Sequence, residues 1–358
     1  MKIEKDTYQK TIALFLGFIS FVILIFIMMQ LKSVLIPLTF SVFLTFLFHP
    51  PVQYFNKYKI PRSISILFIM ILLFGISYLF FLLLMTSLNG VQEKADFYAE
   101  RIVIFVDTVL MPFNLTINEF LKILNISGEM IETKSVIQTL FSSGLIQRTF
   151  LSVSSFLGDV LIMIVFWLFM IYGKNQFDEK IKIAFDKNGT NISETIIEID
   201  DQIQSYLFIK TLLSLATAII ATLLMIFFDV DFPFLWGLLT FTLNYIPNVG
   251  SLVATVFPII FTLLKFGLGI HSITLSTLLI SNQFLIGNFI EPYFLSRKLN
   301  LSSVFVLISL IFWGWVWGIA GMFLAVPIAA VIKIVFENIK PLQPLALLMG
   351  SKLDKNEK

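Results

Sequence analysis

Residues 300–336 read NLSSVFVLISLIFWGWVWGIAGMFLAVPIAAVIKIVF. A run this apolar belongs in lipid, yet Gly314, Gly318, Gly321 and Pro327 interrupt it. A simple spanning helix needs about 20 apolar residues and no breakers, because it satisfies all its own backbone polar groups. Breakers within hydrocarbon imply peptide groups that face protein or water at membrane depth. The stretch therefore predicts a membrane protein with deliberately broken helices.

The whole composition agrees. Hydrophobic residues make up 58% of the 358, 40 of them Phe, only 13% are charged, and mean hydropathy is +0.92. A soluble fold keeps a polar shell that this chain could not supply. The net charge of +2 is spread over span ends and forms no basic face for nucleic acid. Zero Cys excludes disulfides, thiolate metal sites and a cysteine nucleophile. The first apolar stretch follows Lys2, Lys5 and Lys10 as a signal peptide would. No small-residue cleavage site follows it, so a retained helix is expected.

A window of about 19 residues marks spans near 11–30, 33–49, 63–88, 151–172, 207–228, 232–266, 270–290 and 302–336. The expected fold is an all-α polytopic transmembrane bundle of about eight spans, with broken or hairpin helices in the C-terminal half. Its parts are N-terminal helices over 1–90, extracytoplasmic amphipathic helices over 91–150, a fourth span over 151–173, a cytoplasmic amphipathic connector over 174–205, a core over 206–340 and a cytoplasmic tail over 341–358. Lys57, Lys59 and Arg62 in the second loop place it and the N-terminus in the cytoplasm. Lys174, Lys180, Lys182 and Lys187 return the next inner loop to the same side.

Spans six and eight are too long for one straight crossing. They must tilt, protrude or fold back, and folding back puts Arg297 and Lys298 in the cytoplasm, which favours hairpins. Helical periodicity sets Phe97, Ile102, Phe105 and Val109 against Glu93, Asp96, Glu100 and Asp107. An internal echo pairs Trp236-Gly237 and Pro247 with Trp317-Gly318 and Pro327, and paired interrupted segments point to a transport site.

Four stretches also carry a resemblance: Tyr206-Leu207 with Lys210-Thr211, DVDFPFLWGLLTFTLNYIPNVGSLVATVFPII over 229–260, GNFIEPYFLSRKLNLSS over 287–303, and FWGWVWGIAGMFLAVPIAAVIK over 312–333. Together and in this order they resemble the autoinducer-2 exporter family of bacterial membrane proteins, strongly over 200–337. The resemblance implies an inner-membrane transporter of about eight helices that forms homo-oligomers. It implies export of autoinducer-2, with quorum sensing as the setting, or exchange of sodium or lithium for protons. Ile209-Lys210 stand where parts of the family carry Gly-Gln, which suggests a branch with a different cargo.

The residues have their own chemistry. In Asn244 to Ser251, Pro247 removes a backbone donor and Gly250 permits non-helical angles, while Asn244, Asn248 and Ser251 supply neutral polar groups. A discontinuous helix of this kind holds a cation or a polar solute, or else is a structural kink. Gln283, Asn288 and Glu291 form a second polar face, with Glu291 an intramembrane proton or cation acceptor, or an interfacial partner of Arg297. Lys210 either snorkels to the surface or offsets an acid of the site. Asp229 and Asp231 form an acidic mouth for cations or a solvated turn. Gly314 and Gly318 form a GxxxG pair for close helix approach. No P-loop and no catalytic set of side chains occurs, so neither enzymatic activity, a metal nor another cofactor is expected. The expected partners are the bilayer, a small polar solute or monovalent cation, and further copies of the chain.

Overall fold

The computed structural model describes residues 2–113, 144–185, 192–295 and 300–351. These are helical throughout, with a single isolated bridge between Leu301 and Gly350. The helices are α1 (Lys2–Gln30), α2 (Lys32–Lys57), α3 (Arg62–Glu93), α4 (Ala95–Leu110), α5 (Gly144–Phe185), α6 (Ile192–Phe227), α7 (Pro233–Leu243), α8 (Val249–Phe266), α9 (Ile270–Leu285), α10 (Glu291–Leu295), α11 (Ser303–Trp317), α12 (Ile319–Glu337) and α13 (Gln343–Met349). A π turn, Ile286–Ile290, joins α9 to α10. Among the described residues, seven helices are long and apolar enough to cross a membrane. Large apolar side chains such as Val34, Ile71, Phe169 and Leu223 stay exposed on them, as lipid-facing surfaces must.

The chain divides into two compact units. The first comprises residues 1–58, 159–204 and 299–358. Its most buried span is α12, whose Leu324, Ala325, Ala329, Ala330 and Ile334 are all inside. Small residues on this helix let neighbours approach closely, which is how helices associate when lipid removes the hydrophobic drive between them. Hydrogen bonds from side chains to foreign backbone tie the unit together: Ser41 to Met163 O at 2.7 Å and Trp317 Nε1 to Met28 O at 3.1 Å.

The second unit comprises residues 59–158 and 205–298. Ala221 and Met225 of α6, Val230, Trp236 of α7, and Leu275 and Leu279 of α9 form its core. Phe261 completes the contact, with its ring 4.8 Å from that of Trp236.

Spans six and eight both fold back. In the second unit, α7 and α8 form an antiparallel hairpin: Trp236 near the start of α7 stacks on Phe257 of α8, and Lys265 at the end of α8 donates to Asp229 O just before α7. The chain thus returns to where it entered. In the first unit, α11 and α12 do the same, with Ser309 Oγ donating to Ala325 O at 2.9 Å and Ser302 N to Met349 O at 2.8 Å. Eleven residues of α7 and 15 of α11 reach only about 16 and 22 Å, short of a core of about 30 Å.

One expectation is corrected. The internal echo has a different register: Trp236-Gly237 opens α7, whereas Trp317-Gly318 closes α11, and Pro247 lies at a tip while Pro327 lies inside α12. The last hairpin breaks at Gly318, at φ 65°, and a Cβ at Gly314 would meet the Met322 side chain of α12, so the arms come close at Gly314 as the GxxxG pair implied. Over the expected connector 174–205, α5 runs on to Phe185 and α6 starts at Ile192. Both helices have stretches too apolar for water, and an α-helix continues until a breaker stops it. Of the segment over 91–150, α4 buries Tyr98 and Ala99 while Phe97 and Val109 are exposed. Residues 114–143 lie outside the described ones.

Candidate functional site

One group of polar side chains in the second unit gathers around the tip of the α7–α8 hairpin. Helix α7 stops at Leu243, and Ile246 N closes the first turn on Leu243 O at 2.8 Å. Pro247 then offers no N–H, and Val249 N donates back to Pro247 O at 2.6 Å. That bond forces Asn248 into φ 59° and ψ −53°, the strained γ-turn conformation. Non-Gly residues held there cost about 1–3 kcal/mol and concentrate at functional sites. Gly250 starts the next turn against Leu243 O, in a space any Cβ would occupy. Ser251 Oγ donates to Asn248 O at 2.8 Å and so serves the tip itself.

Behind the tip stand α6 and α9. Asn244 is buried and its Oδ1 accepts from Gln283 Nε2 at 2.8 Å. Thr211 donates to Leu207 O, so its oxygen accepts from the Tyr245 hydroxyl at 2.6 Å. Lys210 Nζ donates to Glu291 Oε1 at 2.5 Å, the two side chains being 7% and 27% exposed. Asn282 Nδ2 reaches Thr217 O at 3.1 Å. On the same face of α6, Ser214 Oγ is buried without a hydrogen-bond partner among the described residues.

The structure pairs Asn244 with Gln283 and Lys210 with Glu291, and Pro247, Asn248, Gly250 and Ser251 form the tip that follows Asn244. Asn288 is not with them: it is exposed, and its amide caps Phe284 O. Arg297, the expected partner of Glu291, lies outside the described residues. Tyr245 and Thr211 joined the cluster unannounced, since a lone Tyr and a Thr in apolar runs read as packing. Lys210–Glu291 is a charge pair drawn from water, and its attraction must offset a desolvation of several kcal/mol per ion. Removing either partner alone strands the other.

Asp229 and Asp231 sit away from this cluster, before α7. Asp231 accepts from Lys94 Nζ at 2.7 Å, the Tyr98 hydroxyl at 2.6 Å and Lys265 Nζ at 3.1 Å. Trp236 Nε1 donates to its backbone oxygen at 3.0 Å. Burial works against the charged carboxyl, but these three donors outweigh it and hold Asp231 below the usual range. Burial and the neighbouring carboxylate push the Tyr98 hydroxyl up, so it stays a donor. Asp229 is almost wholly exposed and meets Lys265 Nζ at 3.1 Å.

Seven span-length helices, two re-entering hairpins and a polar cluster at a helix break are the construction of a multi-pass membrane permease. Residues 18–340 match the family model described as AI-2E family transporter, and the chain belongs to that family. Among its relatives, the AI-2 transport protein TqsA of Escherichia coli is 28% identical over 320 residues, covering 89% of this chain and 90% of the relative. A relative in Borreliella burgdorferi is 27% identical over 321 residues, covering 89% and 85%. One in Haemophilus influenzae is 27% identical over 351 residues, covering 95% and 96%.

Proposed function

We propose that the chain is a secondary transporter of the bacterial inner membrane that exports a small neutral polar solute of the autoinducer-2 type. One observation carries this reading: beside a broken-helix tip of amides and hydroxyls, the nearby carboxylate is already held by an ammonium, Glu291 by Lys210. A cation would have to displace that lysine. A neutral solute exchanges hydrogen bonds with Asn244, Gln283 and Tyr245 without uncovering a charge. The acidic mouth imagined for cations is likewise occupied, because Asp231 already binds Lys94 and Lys265. The relationship to TqsA supports the class of cargo.

Purified protein in liposomes loaded with autoinducer-2 should release it faster than empty membranes do. Asn244→Ala and Gln283→Ala should each slow release about tenfold, the loss expected when a buried hydrogen-bond partner is removed. Equal release from protein-containing and empty liposomes ends this reading. Sodium–proton exchange is favoured by one fact, that Glu291 is a carboxylate within an apolar span. It predicts sodium-dependent pH changes that Glu291→Gln abolishes, whereas the neutral-solute reading predicts none in the unaltered protein.

A further inference from the structure

Gln283 and Glu291 are eight residues apart, and in an unbroken α-helix they would point about 80° apart. Ile290, seven residues on, would share the face of Gln283 instead. The structure shows the opposite: Ile290 is exposed at 40%, while Glu291 turns inward to Lys210 and Gln283 turns inward to Asn244. The cause is the turn between them. Glu291 N donates to Ile286 O, five residues back rather than four. One extra residue is absorbed in the wide turn, so eight steps rotate like seven and the two side chains come to one face.

The surroundings fit that register. Residues 288–290 and 292–294 are exposed, leaving Glu291 as the polar side chain of this stretch that faces protein. Asn288 Nδ2 donates to Phe284 O beside the wide turn, where helical bonding is irregular. Pro292 has no N–H to lose in either register. At Gly287 nothing lies within 4 Å of where a Cβ would be, so no neighbour packs on the turn at that position.

We propose that the π turn Ile286–Ile290 is the positioning element of the transport site, aiming Glu291 at Lys210 so that the amide pair and the ion pair form one stripe. This rests on the site assignment above. The turn acts only through Glu291. It follows that the wide turn is dispensable if its extra residue is removed, because Glu291 would then stand seven α-helical residues from Gln283. Keeping the turn but moving the carboxylate one place is damaging.

The test is a set of full-length variants in detergent: deletion of Gly287, and the exchange Ile290→Glu with Glu291→Ile. Each is combined with Lys210→Met and read by thermal unfolding. In the unaltered protein, Lys210→Met and loss of the carboxylate by Glu291→Gln should lower the melting temperature by less together than the sum of their separate effects. The deletion should fold and retain that coupling, and the exchange should abolish it. A deletion variant that fails to fold or loses the coupling overturns the proposal, as does an exchange variant that keeps it. Unfolding does not depend on cargo, so the liposome assay can fail while this result stands. In that assay the deletion should retain release and the exchange should lose it.

Discussion

Asp231 is a centre of polar bonding in the second unit, since Lys94, Tyr98 and Lys265 all end on its carboxylate. Three segments distant in sequence meet there: the α3–α4 junction, the link before α7 and the end of α8. Asp231→Asn keeps the shape but removes the charge, leaving Lys265 with the exposed Asp229 alone. Breaking a largely buried charge cluster of this kind costs about 3 kcal/mol, with the contribution of half-exposed Lys94 discounted for screening. Denaturant unfolding in detergent should show that loss for Asp231→Asn and a change within about 0.5 kcal/mol for Asp229→Asn. The sign of the pH effect follows from the depressed carboxyl of Asp231. A group lowered on folding stabilises fully above its unfolded value of about 3.9, and that stability is lost as pH falls through the folded value. The melting temperature should therefore hold from neutrality to about pH 5 and fall below about pH 4, and Asp231→Asn should flatten that fall.

The elements show what sequence can and cannot convey. Spans were legible because apolar length is set by the bilayer, and folding back was legible because two runs exceeded it. Of the turning points, the tip at Pro247 and Gly250 was legible, while Gly318 could not be told from the other breakers of its run. Pro258 and Pro327 both lie inside helices, for a proline removes one backbone donor and a neighbouring polar group can serve the freed carbonyl. What turns each hairpin is a local backbone choice, the γ-turn at Asn248 and the positive φ of Gly318, beside a glycine that lets the carbonyl of the preceding arm come close. Gly250 meets Leu243 O and Gly321 meets Trp313 O, a shared device in two hairpins with unrelated tips. Lys210 was legible as the offset to an acid of the site, but which acid was not: 81 residues separate it from Glu291, and helical arithmetic through 286–290 fails at the π turn. Gly250→Ala and Gly321→Ala should each destabilise by about 1–3 kcal/mol, the usual cost of overpacking. Gly75→Ala, with nothing within 4 Å of the added carbon, should not destabilise. Thermal unfolding of the three variants side by side checks the pair against the control.

At the scale of the molecule, sidedness decides which groups a cargo meets first, and the second unit alone permits a decisive measurement. Helix α3 separates Lys59 from Lys94 by a full apolar span, and Lys94 is bonded to Asp231, which shares its end of the unit with Asp229 and Lys265. Because α7 and α8 return to their starting point, Leu268 beyond α8 belongs with Asp229 and opposite Lys59. A single crossing by α7 and α8 would put Leu268 with Lys59 instead. The chain contains no Cys, so Lys59→Cys, Asp229→Cys and Leu268→Cys each introduce a lone reporter at an exposed position. The lysines flanking the α2–α3 turn predict that Lys59→Cys is labelled only from the cytoplasm. An impermeant maleimide applied to intact cells should then label Asp229→Cys and Leu268→Cys but not Lys59→Cys. Labelling of Leu268→Cys only after permeabilisation would undo the hairpin and separate the tip residues Asn244 and Tyr245 from the membrane depth that the proposed transport site requires. Equal labelling of Lys59→Cys from outside would invert the orientation and leave the hairpin standing.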